Sequence, residues 1–520
     1  MNTLRDRLAA LSAERLRGIG RGIEKESLRA QPDGTLALTP HPAALGAPLT
    51  HPHITTDYSE SLIELVTGVQ RDAAACLNEL TEIHQVVAHE MAAIGDESLW
   101  VASMPCRLPT DENIPLGVYG TSNVGRAKSV YRMGLGHRYG RRMQTIAGIH
   151  YNWSLPGVGN DGYFALIRNF RRHAFLLMVL FGASPVVDAP FVAGRDHGLQ
   201  PLGDASMYLP HATSLRMGRL GYQSDAQATL AVSYNCLDSY ANSLESALTQ
   251  PYAAYQAIGI QNLGGEYNQL ATTLLQIENE FYGTIRPKRV IRSGERPLHA
   301  LRERGVEYVE VRLMDLDPFE TVGIHADTAR FLDLFLLHCL LSDSPPDTPQ
   351  EIAALKRNQH LTAARGREPG LELERDGRAV RLTDWAEQLL AQLAPIAQTM
   401  DRVDGASRYA AALARAQRAF TAFDELPSAR VLRRVREQHQ GSYIDFVRAC
   451  SQRSRAELLA LPYAAALKQR FDTLAAESWA AQKRIEASDR VDFETFRRAY
   501  ISPERLAPGA QGSVGSEAAI

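Results

Sequence analysis

The stretch RGIEKESLRA sets Glu24 and Glu26 two positions apart, and that spacing constrains the chain more than any other feature. On a strand, residues two apart point to one face, so the two carboxylates converge. Adjacent like charges oppose folding unless a cation or a basic side chain offsets them. Three other stretches share this character. TTDYSESLIELVT carries Asp57, Glu60 and Glu64 at i, i+3 and i+7, the spacing of one helix stripe, beside Leu62, Ile63, Leu65 and Val66. TIAGIHYNWSLP reads as a strand with Gly148, His150 and Asn152 on one face and Ile149, Tyr151 and Trp153 on the other. VEYVEVRLM puts Glu310 and Arg312 on one face of a further strand, with Glu307 and Asp315 nearby. There a guanidinium can face a phosphate while the carboxylate holds the metal that bridges it, and magnesium is the usual cation where carboxylates work with nucleotide phosphates. An acidic helix stripe taken alone is ordinarily a solvated face, and a lone histidine ordinarily a hydrogen-bonded structural residue. The strand pair is what argues against that reading here.

Composition narrows the remaining classes. With 520 residues, 45% hydrophobic and 22% charged, the chain has ample material for a buried core. A net charge of −3, from 56 basic and 59 acidic residues, provides no field to draw in nucleic acid or an anionic membrane. No apolar run approaches the roughly 20 residues of a membrane helix. The five cysteines show no zinc-binding spacing and read as free thiols in a reducing cytosol, so the expected location is cytoplasmic. An amphipathic helix is expected over residues 1–19, long helices over 71–94 and 163–181, and strands at 231–234 and 306–314. After Asp343 the texture turns to charged, alanine-rich helices such as 382–400, 406–423 and 463–487, which read as support and not chemistry. The Gly/Ser/Ala-rich tail from about residue 507 reads as disordered. The organisation expected is a catalytic core over 1–345, a helical region over 346–506 and the tail over 507–520.

Together these strings resemble the proteobacterial glutamate-cysteine ligases. The resemblance runs in family order over roughly residues 18–345, through GIEKESLR, LTPHPAALGAPLTHPHITTDYSESLIEL, SMPC, YGTSNVGRAKSVYRMGLGHRYG, MQTIAGIHYNWSLP, FGASP, YLPHATSLRMGRLGY, QIENEFYGTIRPKRVIRSGERP and GVEYVEVRLMDLDPF. It implies an α+β fold similar to glutamine synthetases, a curved antiparallel sheet forming a metal-lined funnel with helices around it and a helical C-terminal part. It implies metal positions at Glu24, Glu26, Asp57, Glu60, Glu64, His150 and Glu310, holding two or three magnesium ions, with manganese as a substitute. Tyr58, Tyr131, Leu135, Gln144, Tyr222 and Tyr282 fall where the family forms its cysteine pocket, and position 58 departs from the phenylalanine expected there. Arg216 and Arg312 match substrate and phosphate arginines, and Arg286, Lys288 and Arg289 are nucleotide candidates; Glu26, Glu310 and Arg312 are the residues expected at the reacting atoms. The activity implied is ATP-dependent joining of the glutamate γ-carboxylate to the cysteine amine through γ-glutamyl phosphate, the first step of glutathione biosynthesis. The alternative is a related ligase with another amine acceptor. The expected partners are glutamate, cysteine and ATP, with glutathione as a feedback inhibitor, neither nucleic acid nor membrane, and a monomeric state. No glycine-rich phosphate loop follows residue 345, so the expected product is γ-glutamylcysteine.

Overall fold

A computed structural model describes residues 3–203, 205–221, 225–228, 230–292, 295–507 and 509. Its centre is a 7-stranded sheet. The strands are β1 (Gly20–Ala30), β2 (Ile54–Thr56), β3 (Leu62–Val66), β4 (Ser98–Leu99), β5 (Ile149–Ser154), β6 (Ile285–Lys288) and β7 (Tyr308–Met314). They lie in the order β2-β3-β1-β5-β7-β6, with β4 on the end of β1, and every pairing is antiparallel.

Alternation along the strands separates two faces. Ile23, Ile63, Leu65, Ile149, Trp153 and Val309 point to the back, where all are fully buried. Two helices cover that face directly, α1 (Ala73–Ile94) on β1 and β3, and, across an intervening stretch that holds α2 (Asn123–Tyr139), α3 (Asn160–Phe181) on β6 and β7. Behind them α4 (Ala326–Leu341) packs on both α1 and α3. Burying an aliphatic side chain contributes roughly 1.5–3 kcal/mol, so this apolar layer fixes the register that gathers the polar residues on the front.

The C-terminal helices α5 (Leu382–Asp404), α6 (Arg408–Ala419), α7 (Tyr443–Ala460), α8 (Ala465–Ser488) and α9 (Phe493–Ile501) wrap this centre. Helices α5 and α6 pack behind α4, α7 and α8 pack on α1, and α9 packs on α2. Among the described residues no helix is long and apolar enough to cross a membrane.

Several sequence expectations need correction. The stretch read as a helix with Asp57, Glu60 and Glu64 on one stripe is the β2–β3 hairpin, closed by Asp57 N donating to Leu62 O at 3.0 Å. Its i, i+3, i+7 spacing coincides with a helix, but Ile63 and Val66 are β-branched and pair with β1, which decides the outcome. The single N-terminal helix is two, Leu4–Ala9 and Ala13–Arg17, because Ser12 caps the second by accepting from Arg15 N at 3.2 Å. Residues 231–234 form no strand. The helical region also contains a hairpin, Glu372–Arg375 with Arg378–Arg381. Most of the expected tail lies outside the described residues.

Candidate active site

The sheet register carries the acidic residues into one cup. Glu26 stands opposite Glu64, Glu24 opposite His150, and Glu310 opposite both Asn152 and Arg286. Ligand atoms of Glu24, His150 and Glu310 all lie within 4.8 Å of one another. His150 Nδ1 is 3.1 Å from Glu24 Oε2 and 4.0 Å from Glu310 Oε1, and its Nε2 is 3.8 Å from Glu26 Oε1. An imidazole with several carboxylate oxygens is a donor set that can hold a divalent cation.

Backbone and amide groups aim the carboxylates. Gly148 N donates to Glu26 Oε2 at 2.7 Å, and Asn152 Nδ2 donates to Glu24 Oε1 at 2.7 Å. On β7 the register slips by a bulge between Val311 and Met314, and a bulge re-aims the side chains beside it. Arg312 there donates to Glu310 Oε2 at 2.9 Å, while Lys288 Nζ lies 3.0 Å from Glu310 Oε1.

These neighbours divide the carboxyls into two kinds. Burial opposes ionisation of Glu310, but the charges of Lys288 and Arg312 outweigh it and hold the group well below the usual range. Burial likewise opposes ionisation of Glu24, and the hydrogen bond to His150 outweighs it. Glu26 is pushed up to about 8 by burial and by the charge of Asp57, and Glu64 is raised well above its ordinary value by burial and by Glu24. Burial, with Arg312 nearby, lowers His150 and keeps it neutral. The cup is therefore short of positive charge on its β1–β3 side, where an added cation gains most.

Above the cup runs a cleft of about 230 Å³. One end is walled by Tyr58, Tyr131, Leu135, Gln144 and Tyr282, and Gln144 Nε2 donates to the Tyr282 hydroxyl at 2.8 Å. Ala127, Leu270, Ile277 and Tyr500 also line it. Residues 127, 131 and 135 lie on one face of α2 at four-residue spacing, so the stretch from Ala127 to Leu135 spans about 12 Å at 1.5 Å per residue. Asp57 stands 4.0 Å from Arg132 and is 41% exposed, at the mouth.

Most of the residues expected from the sequence meet here, including Arg286 and Lys288. Arg216 reaches in below, close against Gly148, and donates to Arg312 O at 2.8 Å; its charge bears on Glu26. Two residues do not join. Glu60 lies in the hairpin loop, and its two oxygens accept from His41 N at 2.9 Å and Val118 N at 2.8 Å. Arg289 is on the back-face parity of its segment, where Nε donates to Gly305 O and Nη1 lies 3.7 Å from Glu307. Tyr222 lies outside the described residues. Sequence reasoning missed Lys128, Arg132, Asn279 and Tyr500. The helix spacing of 128 and 132 against 131 and 135 could have found the first two, but nothing local marks Tyr500 as a cleft residue.

A sequence model of the glutamate-cysteine ligase family matches residues 6–362. The chain belongs to that family. A glutamate-cysteine ligase of Alcanivorax borkumensis is 46% identical, across 96% of this chain and 100% of the relative, and one of Pseudomonas paraeruginosa is 49% identical, across 92% and 93%. The crystal structure of the Francisella tularensis member in complex with AMP superposes with a TM-score of 0.88 at 36% identity, covering 94% of this chain and 99% of that one. A bifunctional glutathione synthetase of Pasteurella multocida matches with a TM-score of 0.69 at 25% identity, covering 89% of this chain and 57% of that one. The family's α+β architecture, with an antiparallel sheet among helices, is thus this chain's own.

Proposed function

We propose an assignment of the cleft to the reaction of this family, the ATP-dependent joining of the glutamate γ-carboxylate to the cysteine amine that opens glutathione biosynthesis. A carboxylate resists amines in neutral water because its oxygen is a poor leaving group. ATP removes that obstacle. The γ-carboxylate attacks the terminal phosphorus of ATP, a carboxylate oxygen–phosphorus bond forms, and ADP leaves. The cysteine amine then attacks the γ-carbonyl carbon, the carbon–oxygen bond to phosphate breaks, and the amine proton passes to solvent or to the departing phosphate.

The nucleotide base occupies the end lined by Ala127, Leu270, Ile277 and Tyr500, and the two amino acids occupy the end lined by Tyr58, Tyr131, Leu135, Gln144 and Tyr282. The reacting phosphate lies between them, over Glu24, Glu26, Glu64, His150 and Glu310, which would hold magnesium, with manganese as a substitute, and Asp57 closes the mouth. When bound, such cations offset the charge on the phosphate oxygens and hold them in line. Arg312 presents a planar fork to two phosphate oxygens, Lys288 and Arg286 add charge, and Arg216 steadies the Arg312 backbone by its hydrogen bond. Exclusion of water by the tyrosines protects the acyl phosphate from hydrolysis.

The observation that carries this reading is Glu310, buried in the carboxylate cup between Lys288 and Arg312, where it would hold a cation beside the guanidinium that faces the phosphate. Arg312→Lys tests it. Lysine keeps the charge and loses the fork, so turnover should fall by about tenfold or more while the KM for cysteine stays within about twofold. A rise in that KM with turnover intact would move Arg312 out of phosphoryl transfer.

A further inference from the structure

Helix α2 spends a glycine where helices favour alanine. Residue 136 follows Leu135, which lines the cleft, and a β-carbon built on Gly136 would sit 2.7 Å from the Tyr58 hydroxyl oxygen and 3.1 Å from Arg141 Cγ. Tyr58 is 1% exposed, and its hydroxyl has no hydrogen-bond partner among the described residues. The hydroxyl therefore rests against the bare backbone of α2. It ends a rigid ring, so it cannot step aside by changing rotamer as a flexible chain could. Packed protein surrounds Tyr58, and the cleft is the open space beside it.

We propose that Gly136 and Tyr58 are a matched pair that sets the width of the amine-substrate end of the cleft, the missing β-carbon at 136 being what lets the Tyr58 ring lie back into the wall. Gly136 touches no substrate and acts through Tyr58, so it is a positioning residue. A methyl at 136 displaces the ring, and since the open space beside Tyr58 is the cleft, the displacement narrows the space left for the side chain of the amine substrate. This rests on the assignment of that end of the cleft to cysteine. The neighbouring Gly134 has a different reason, since a β-carbon there would meet the Gln276 amide oxygen at 2.3 Å.

Steady-state kinetics of the wild type, Gly136→Ala, Tyr58→Phe and the double variant, each with cysteine, glutamate and ATP varied in turn, test the pair. Adding the methyl should raise the KM for cysteine by about tenfold when residue 58 is tyrosine and by less than about twofold when it is phenylalanine, the signature of direct coupling. The KM for ATP should not follow. A Gly136→Ala protein that fails to fold, rescued by Tyr58→Phe, would also uphold the pair. An equal rise in both backgrounds, no rise in either, or failure to fold in both would overturn it, because Gly136 would then serve the helix alone. A coupled rise confined to glutamate would uphold the pair and overturn the assignment of this end to cysteine.

Discussion

Glu26 faces Glu64 across the β1–β3 ladder, among the described residues no basic side chain is hydrogen-bonded to it, and its carboxyl is pushed up to about 8. A carboxyl whose folded value lies above its unfolded one loses stability as pH rises through that interval. In metal-free buffer the wild type should therefore weaken between about pH 4.5 and about pH 8, relative to Glu26→Gln, which has no charge to bury. Melting curves at both ends of this range check it: the variant should melt higher than the wild type at the alkaline end and match it at the acid end. The same change should lower turnover by about a hundredfold or more, as should Glu310→Gln, because each removes an oxygen from the cup. Folded variants with full turnover would take both residues out of the site. These positions were legible in the sequence because period-two spacing puts residues on one face whatever the strand pairs with. Glu60 was misread because its spacing from Asp57 and Glu64 fits a helix as well as a hairpin loop, and only the tertiary partners His41 N and Val118 N show where it points.

Among the elements, α9 contributes what its sequence does not announce. Its apolar face, including Phe493, Phe496 and Tyr500, joins Tyr119 and Val124 in a core of its own, and Arg296 donates to Tyr500 O at 2.8 Å, so Tyr500 reaches the cleft from 361 residues beyond Tyr139, the end of α2. Removing an aromatic wall from the end of the cleft proposed for the base should cost ATP binding and leave the amino acids alone. Tyr500→Ala should raise the KM for ATP by about tenfold with the KM for cysteine within about twofold. Equal changes for all substrates would make Tyr500 a structural residue. The strands β1, β5 and β7 were legible from their alternation, whereas β2 and β3 were not. Their hairpin is too short to establish a period, and a pair of apolar residues on each side of Glu64 suits either element.

Across the whole molecule, the two halves of the chain are tied by a buried polar network that no local pattern reveals. Arg21 on β1 pairs with Asp333 on α4 at 2.8 Å, and the hydroxyls of Tyr151 and Tyr409 donate to the same carboxylate at 3.1 and 3.2 Å. Removing one partner strands a buried charge, which costs about 3–5 kcal/mol, so Asp333→Ala should lower the unfolding free energy by that order in urea titrations. A change below about 1 kcal/mol would mean that the network does not hold the C-terminal helices to the sheet. In the reaction proposed for the assembled site, phosphate from ATP is carried on the substrate's own carboxylate. Glutamate labelled with heavy oxygen in its γ-carboxyl, incubated with ATP, magnesium and cysteine, tests it by mass spectrometry of the products. One labelled oxygen is expected in the inorganic phosphate and one in the dipeptide carbonyl for each turnover, with ADP unlabelled. Label appearing in AMP, or phosphate free of label while dipeptide accumulates, would contradict it.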